Sequence, residues 1–431
     1  MDTIRSVELG HIEEPLRVPF GFKGGSLTGL WQVVVRITLD SGEAGMGLGV
    51  QSVLWAHPAA FAVLSEREGN ERMLAVTRRA LQLLRGEPFT EPPRMIAALL
   101  PPLLEEARRL LGRADVPRTF VLNALVPVDF ALWQLWSARR GDGSFNALTR
   151  RFCPALGSRE RQLGNIPLIS YHSPAEEIRA LLADGAYLLK IKIGSNPGGD
   201  GDPEAMLAWD TNRLREVHAM ARAIETEHTD CGHPLYYLDA NGRYPSRAAL
   251  LRLLEAADAM GALERIALLE EPFPEGAPIA VGDLPVRVAA DESAHSAEDA
   301  RRLTRELGYR AIALKPIAKT LSVTFAMAEE ALREGAACFC ADLTVPPAML
   351  DWNLHVAARL PRLAGLRTGV VESNGRQNYP HWARMDGLCA VPGAPWRRQV
   401  RGLYTLDDAF DAHSGLFDPL PGYAPCLQAL T

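Results

Sequence analysis

The chain has 431 residues, 47% hydrophobic and 23% charged, which is the composition of a folded globular protein. A net charge of −6 argues against nucleic acid and anionic membranes as partners, because both attract basic surfaces. No apolar stretch approaches the length that spans a bilayer, and residues 1–8 do not resemble a secretory signal. Six scattered cysteines without a Cys-x-x-Cys pair favour a reduced, cytoplasmic protein.

The first 50 residues are predicted to be rich in β-structure. The β-branched run Trp31–Leu39 is followed by a turn at 40–45, and residues 46–50 return as the partner strand. Ahead of this hairpin, the glycine-rich segment 19–26 is typical of a mobile loop. Residues 58–140 change to a helical period. We therefore predict an α+β domain over residues 1–150.

A repeating strand–helix pattern begins near residue 166. Eight apolar runs alternate with helical segments, except between the fourth and fifth runs, which predicts a parallel (β/α) barrel. The alternative, a doubly wound open sheet, would usually carry a glycine-rich phosphate loop after its first strand. We predict a barrel domain at 160–385 and a C-terminal segment, 386–431, that packs back on the first domain. The runs are Pro167–Tyr171, Tyr187–Ile193, Leu235–Asp239, Arg265–Glu270, Val286–Ala290, Ala311–Lys315, Ala337–Ala341 and Gly369–Glu372.

Carboxylates follow the third, fourth and fifth of these runs. Asp239, Glu270 and Asp291 stand where predicted strands end, and in a barrel these ends meet at the active-site face. Adjacent strand ends are about 4.8 Å apart, so three unpaired carboxylates would repel one another. A hard divalent cation such as Mg²⁺ relieves that repulsion and accepts oxygen ligands. Salt bridges to nearby lysines are the alternative.

Lysines follow the second and sixth runs. Lys190 and Lys192 are two residues apart and point to one face of a strand, and Lys315 ends a run four strands further on. Lysine seldom ends an apolar strand without a partner, and neighbouring cations lower its pKa so that it can act as a base. Two lysines that face each other across a metal suit proton removal on one face of a carbon and return on the other. The alternative for each is a salt bridge.

These motifs, in this order, resemble the enolase superfamily, specifically the muconate-lactonizing subgroup of mandelate racemase/muconate lactonizing enzyme-like proteins. The resemblance covers residues 1–385 and implies a modified TIM barrel of the (β/α)7β type with an N-terminal α+β capping domain. Residues 124–133 are similar to the helix that closes this capping domain. The motifs are Lys190-x-Lys192, Asp239-x-Asn241, Glu270-Glu271-Pro272, Asp291-Glu292-Ser293 and Lys315.

The resemblance also implies a role for each of these residues. Lys192 and Lys315 would be the acid/base pair, and Lys190 would tune the pKa of Lys192 and contact the substrate carboxylate. Mg²⁺ would be bound by Asp239, Glu270 and Asp291. The side chains that would hold these ligands in place are those of Asn241, Glu271 and Glu292.

Six further residues are candidate substrate contacts. His172 ends the first run, where a hydrogen-bonded barrel histidine is the alternative. In the family the N-terminal loop closes over the substrate, which draws attention to Phe20, Phe22 and Lys23, although a solvated loop would contain the same residues. Glu372 and Asn374 replace the Asp-x-Asp with which dipeptide epimerases of the family bind an α-ammonium group, which argues against a dipeptide.

The resemblance implies a Mg²⁺-dependent enzyme that removes the proton α to a carboxylate and forms an enediolate. The two lysines favour a racemase or epimerase. A dehydratase (lyase) or cycloisomerase would use the same enediolate, and a catalytically silent binding protein would keep only the scaffold. The expected partners are a small-molecule carboxylate substrate and further copies of the chain in a dimer or octamer, with no nucleic acid and no membrane.

Overall fold

The computed structural model describes residues 2–23, 25–141, 143–157, 159–196, 198–199 and 201–430. The strands are β1 (Ile4–Phe22), β2 (Gly25–Leu39), β3 (Ala44–Gln51), β4 (Gln162–Ile166), β5 (Leu168–Ile169), β6 (Leu188–Lys192), β7 (Leu235–Asp239), β8 (Ile266–Glu270), β9 (Val288–Ala290), β10 (Ala311–Leu314), β11 (Ala337–Cys340), β12 (Gly369–Glu372), β13 (Leu403–Thr405) and β14 (Gln428–Ala429).

The helices are α1 (Val53–Ala56), α2 (Pro58–Phe61), α3 (Glu66–Leu84), α4 (Pro92–Leu111), α5 (Arg118–Arg140), α6 (Phe145–Phe152), α7 (Ala175–Ala183), α8 (Pro203–Ala221), α9 (Arg247–Ala259), α10 (Ala297–Arg305), α11 (Pro316–Lys319), α12 (Leu321–Arg333), α13 (Pro347–Ala357), α14 (Gly375–Asn378), α15 (Trp382–Asp386) and α16 (Asp408–His413). Short 3₁₀ helices lie at Leu263–Arg265, Pro395–Arg397 and Pro421–Cys426.

The N-terminal part is an antiparallel sheet, in the order β14-β1-β2-β3, packed against helices. Helix α5 lies directly on β3 because every second residue of that strand is glycine on the helix-facing side. A Cβ at Gly47 would lie 1.8 Å from the carbonyl oxygen of Pro127, and one at Gly45 would lie 2.2 Å from that of Ala131. The Gly-x-Gly-x-Gly pattern of β3 therefore sets the distance between sheet and helix.

The loop predicted at 19–26 is instead, in its described residues, the end of the β1–β2 hairpin, and its mobility stays a prediction. Phe20 pairs with Leu27 and Phe22 pairs with Gly25, so β1 continues to Phe22 and β2 begins at Gly25. Lys23 adopts a positive φ of 49°, an uncommon backbone conformation for a residue with a side chain. Gly25 permits close contact, since a Cβ there would lie 2.7 Å from Leu54 Cδ1. Close packing therefore accounts for the glycine at position 25.

The second sheet has the order β13-β4-β12-β11-β10-β9-β8-β7-β6-β5, and its strands β4 to β12 are parallel. Its two ends meet because β4 and β5 are consecutive segments separated by Pro167 alone: β4 pairs with β12, and β5 pairs with β6. This arrangement closes a barrel with eight strand positions. The connection 271–287 between β8 and β9 contains no helix, as the sequence indicated.

Helix α5 is long enough to cross a membrane, and its most apolar 18-residue stretch has a mean hydropathy of 1.2. All of that stretch is buried inside the protein. Helix α5 is the central helix of the capping part, between β3 and the barrel helices α11 and α12. Asp129 on α5 accepts hydrogen bonds from the backbone N–H groups of Leu321 (2.7 Å) and Ser322 (3.1 Å), at the start of α12. Burial raises the pKa of Asp129 to about 6, although these donors oppose the rise.

Residues 386–430, the described part of the predicted C-terminal segment, contact both parts of the protein. Strand β13 pairs antiparallel with β4 of the barrel, and β14 pairs with β1 of the N-terminal sheet. Between them, Gln134 of α5 donates hydrogen bonds to the carbonyl oxygens of Leu416 (3.0 Å) and Asp418 (2.9 Å). Tyr423 also donates a hydrogen bond to Gln32 on β2 (2.9 Å).

Replacement of Asp129 by alanine is expected to reduce the free energy of unfolding by about 3 kcal/mol, because it leaves buried N–H groups without acceptors. Chemical denaturation measures this change. Asp129→Asn retains an acceptor oxygen, so we expect it to lose less than half as much. Equal losses in the two variants would contradict the hydrogen-bonding explanation.

Candidate active site

Ionisable side chains occupy the carboxyl ends of the parallel strands, as predicted. Lys192, Asp239 and Glu270 are the last residues of β6, β7 and β8, and the strand register aligns Lys192 with Asp239 and Asp239 with Glu270. Asp291 directly follows β9, and Lys315 directly follows β10. All five residues are at most 5% exposed. The site is therefore a buried set of opposite charges at one end of the barrel.

The lysines on β6 are held by carboxylates. The Nζ atom of Lys192 lies 2.6 Å from Asp239 Oδ2, and that of Lys190 lies 3.0 Å from the same oxygen. Lys190 also contacts Glu372 Oε2 at 3.0 Å and Glu270 Oε2 at 3.5 Å. This is the lysine–carboxylate pairing that the sequence left open as the alternative to metal binding.

Asp291 is contacted by two lysines from one short segment. Lys315 pairs with Oδ2, and Lys319, at the end of α11, lies 2.9 Å from Oδ1. Lys319 also donates a hydrogen bond to the backbone oxygen of Asp291 at 2.6 Å and is 0% exposed. Lys319 belongs to none of the motifs found in the sequence.

One sequence signal would have found it. Five lysines are present among the 46 Lys and Arg residues, and all five lie at this site. The basic residues elsewhere in the sequence are all arginines, so lysine occurs only where a positive charge lies among buried carboxylates. Lysine is the basic residue that can lose its proton when buried, whereas arginine stays protonated.

Burial and charge oppose each other in this site. Burial alone would raise the pKa of Asp239, but Lys190 and Lys192 outweigh it and lower the pKa to about 2. Burial raises the pKa of Glu270 to about 7, because the charge of Asp291 adds to the desolvation while Lys190 opposes it. Burial alone would lower the pKa of Lys315, but Asp291 and Glu270 outweigh it and raise the pKa. Without a further cation, the carboxylates keep Lys315 protonated.

The carboxylates also fit a divalent cation. One oxygen each from Glu270, Asp291 and Glu292 lie within 4.8 Å of one another, and all three residues are buried. Glu270 Oε1 and Glu292 Oε2 have no hydrogen-bond partner among the described residues. Buried carboxylate oxygens without a donor are suitable ligands for a hard cation. The sequence predicted Asp239 as the third carboxylate, whereas this cluster contains Glu292 instead.

Asn241, Glu271 and Glu292 lie among the charged residues, and their predicted role of holding the metal ligands in place stays a prediction. Asn241 Oδ1 accepts from Lys192 Nζ at 2.7 Å, and its Nδ2 donates to Glu292 at 3.1 Å. Glu271 Oε2 accepts from the backbone N–H of Asp291 at 2.8 Å, and burial raises the pKa of Glu271 to about 8. Asn241 and Glu271 have positive φ values of 45° and 39°, an uncommon backbone conformation that occurs often at functional sites.

The three lysines Lys190, Lys192 and Lys315 line one cavity of about 40 Å³ beneath the N-terminal hairpin. Two of these lysines lie under aromatic rings. The ring centre of Phe22, in the hairpin, is 5.7 Å from Lys192 Nζ, and that of Trp55, in α1, is 4.9 Å from Lys315 Nζ. The cavity holds only a few water molecules. A substrate therefore requires outward movement of this cover.

Of the six predicted substrate contacts, four line the cavity and two do not. Phe20, Phe22, Glu372 and Asn374 line the cavity. His172 does not; it is exposed and lies beside the hairpin near Gly21. The lining residues that the sequence analysis did not identify are Leu27, Leu30, Ser52, Trp55, Leu168, Asp342, Leu343 and Thr344. They were missed because they come from other segments of the chain.

Lys23 connects the hairpin to the charged site. Its Nζ lies 2.9 Å from Glu292 Oε1 and donates a hydrogen bond to the backbone oxygen of Trp55 at 2.8 Å. Both side chains of the ion pair are largely buried, at 9% and 5% exposure. The end of the hairpin is therefore fixed to a residue next to the predicted metal ligand Asp291.

Replacement of Lys23 by methionine is expected to accelerate amide hydrogen exchange in the hairpin 20–27 by about 10- to 100-fold, because a charged buried hydrogen bond contributes about 1.5–3 kcal/mol. Mass spectrometry of the exchanged protein measures this rate. Lys23→Arg keeps the charge and should remain within about threefold of the wild type. Unchanged protection in Lys23→Met would mean that the hairpin does not depend on this ion pair.

Comparison with known proteins now identifies the family. The enolase C-terminal domain-like family model matches residues 174–395, more than half of the chain. The chain belongs to the enolase superfamily. Over 307 residues this member is 26% identical to an L-Ala-D/L-Glu epimerase of Clostridium acetobutylicum, which covers 70% of this chain and 71% of the relative.

Solved structures share the fold of this enolase-superfamily member. A mandelate racemase/muconate lactonizing protein from Herpetosiphon aurantiacus has a TM-score of 0.65 at 20% identity and covers 94% of this chain and 96% of its own. A dipeptide epimerase from Enterococcus faecalis V583, complexed with Mg and the dipeptide L-Leu-L-Tyr, has a TM-score of 0.61 at 15% identity and covers 94% and 97%. The predicted family, and a modified TIM barrel with a capping domain, are confirmed.

Proposed function

We propose that this enolase-superfamily member is a Mg²⁺-dependent racemase or epimerase that exchanges the proton α to a substrate carboxylate. The observation that carries the proposal is the position of Lys192 and Lys315. They line the same cavity from strands four positions apart in an eight-position barrel, and therefore from opposite sides. The class of the curated relative, an epimerase, supports the same reaction type.

The chemistry requires a base and a means to stabilise negative charge. A proton α to a carboxylate is weakly acidic because its removal puts a second negative charge on that group. Mg²⁺ held by the buried carboxylates would neutralise both these side chains and the charge that develops on the substrate. Glu270 and Asp291 are candidate ligands in either case. The third ligand would be Asp239, as the sequence predicts, or Glu292, whose carboxylate lies in one cluster with those of Glu270 and Asp291.

The lysines would carry the proton. On one side of the substrate, a neutral lysine Nζ accepts the α-proton, and the electron pair of the C–H bond moves to the carboxylate to give an enediolate. On the other side, the ammonium group of the second lysine returns a proton to the same carbon, which inverts its configuration. Lys190 lies beside Lys192, as both contact Asp239 Oδ2, and it would contact the substrate carboxylate.

Hydrogen exchange tests this function before the substrate has been identified. The protein is incubated in D₂O with Mg²⁺ and a panel of α-substituted carboxylates, and ¹H NMR follows the α-proton signal. We expect the signal to disappear for at least one acid, to persist when EDTA is added, and to disappear again when Mg²⁺ is restored. Loss of water or ring formation in the product would favour the lyase or cycloisomerase alternative. Absence of exchange in protein that binds Mg²⁺ would contradict the proposal.

A further inference from the structure

We propose that the substrate carries a single carboxylate and an apolar substituent, and that the cavity rejects a second anionic group. This inference rests on the proposed function, because it assigns the substrate carboxylate to the charged side of the cavity. It departs from the L-Ala-D/L-Glu substrate named for the curated relative, whose glutamate side chain would bring a second carboxylate.

The side of the cavity opposite the charges is apolar. It is formed mainly by the hairpin, whose strands contribute two phenylalanines and two leucines, and it is completed by one leucine from β5 and one from the loop after β11. All but Phe20 are less than 9% exposed, so these side chains are already removed from water. The residues are Phe20, Phe22, Leu27, Leu30, Leu168 and Leu343.

No cation remains for a second carboxylate. Among the described residues that line the cavity, the positively charged ones are Lys190, Lys192 and Lys315, and no arginine is present. Each of these lysines is engaged in the reaction site. Lys23, the nearest cation on the hairpin side, is held by Glu292 and by the backbone oxygen of Trp55. A second anion would therefore be buried without a partner, which is strongly unfavourable.

The remaining end of the cavity is acidic. Asp342, after β11, and Glu372, at the end of β12, both line it and are at most 5% exposed. Glu372 is paired with Lys190, whereas Asp342 has no ion-pair partner among the described residues and is hydrogen-bonded by the backbone N–H of Asn374 at 2.8 Å. A second carboxylate at this end would lie beside these two acidic side chains and not beside an unpaired cation among the described lining residues. The apolar side chains on one side and the acidic side chains on the other thus both disfavour a substrate with a second carboxylate.

The test compares side chains of similar size and different charge. Leucine, glutamine and glutamate are each supplied as the N-acetyl and as the L-alanyl derivative, and α-proton exchange in D₂O with Mg²⁺ gives kcat/KM. In whichever series exchanges, we expect the leucine derivative to exceed the glutamate derivative by at least tenfold. Equal rates, or faster exchange of glutamate, would overturn the inference.

Binding separates this inference from the proposed function. If no acid exchanges, Mg²⁺-dependent calorimetric binding of the same acids still ranks them, and tighter binding of leucine would support the inference while the proposed function fails. A tighter glutamate derivative, or no binding of any acid, would overturn the inference.

A charge introduced into the apolar side should change the preference. In Leu343→Arg, on the loop after β11, we expect the glutamate-to-leucine ratio to rise at least tenfold, and Leu27→Arg provides a second variant if the first does not fold. Val63→Arg adds the same charge at a position that is 72% exposed, and its ratio should match the wild type. An unchanged ratio in a folded arginine variant of the cavity would overturn the inference.

Discussion

Replacement of either Lys192 or Lys315 by alanine is expected to lower the rate of configurational inversion by about 10²–10⁴-fold, the usual contribution of a general acid or base. Each variant should still exchange the α-proton of one configuration of the substrate, because one lysine remains on one side of the carbon. The two variants should retain opposite configurations. Polarimetry measures inversion, and ¹H NMR in D₂O measures exchange of each purified enantiomer.

Lys319→Met is the matched control for these variants. Lys319 is also a buried lysine that contacts Asp291, but its side chain is not among the groups that line the cavity. We expect Lys319→Met to treat both configurations alike, whatever its effect on overall rate. If Lys192→Ala and Lys315→Ala also lost exchange equally for both configurations, the assignment of one lysine to each face would be wrong.

Replacement of Glu270 by glutamine is expected to weaken Mg²⁺ binding by at least about 100-fold, because it removes a charged oxygen ligand from the centre of the buried carboxylates. Isothermal calorimetry of the purified protein measures this change. Glu270 belongs to both possible ligand sets, Asp239–Glu270–Asp291 and Glu270–Asp291–Glu292.

Two further variants distinguish these sets. Asp239→Asn should weaken binding strongly if Asp239 is a ligand, and Glu292→Gln should do so if Glu292 is a ligand. Glu372→Gln is the control, since Glu372 contacts Lys190 but lies outside both sets. Unchanged Mg²⁺ affinity in Glu270→Gln would mean that the carboxylates exist to pair with lysines and would remove the basis for the proposed function.

The barrel and its charged end could be predicted because their signals are local. An apolar run that ends in Asp239 or Glu270 is a strand with its carboxylate at the barrel opening, and β7 and β12 have the predicted bounds. The first barrel strand was predicted less well, as Pro167 interrupts it and the preceding β4 was not recognised. Pairing of β4 with β12 depends on barrel closure, which no local pattern encodes.

The cover of the site was harder to predict because it depends on distant contacts. Glycines at 21 and 25 are typical of a loop, yet the pairing of β1 with β2 and the contact of Gly25 with Leu54 make this segment a hairpin. Trp55 and Asp342 reach the cavity from segments without a recognisable motif. Lys319 reaches Asp291 from the end of α11, and its position four residues after Lys315 does not by itself indicate that contact.

The concentration of every lysine at one buried site has a practical consequence for chemical labelling. Lys23, the most exposed of the five in its side chain, is 9% exposed, so the protein surface offers acylating reagents essentially no side-chain amine. Lysine-specific reagents should therefore react slowly while the hairpin covers the site. When the hairpin moves outward, they should modify the lysines of the reaction site. The number of reactive side-chain amines would then report how far the hairpin has lifted, in a protein that carries no other lysine to obscure the reading.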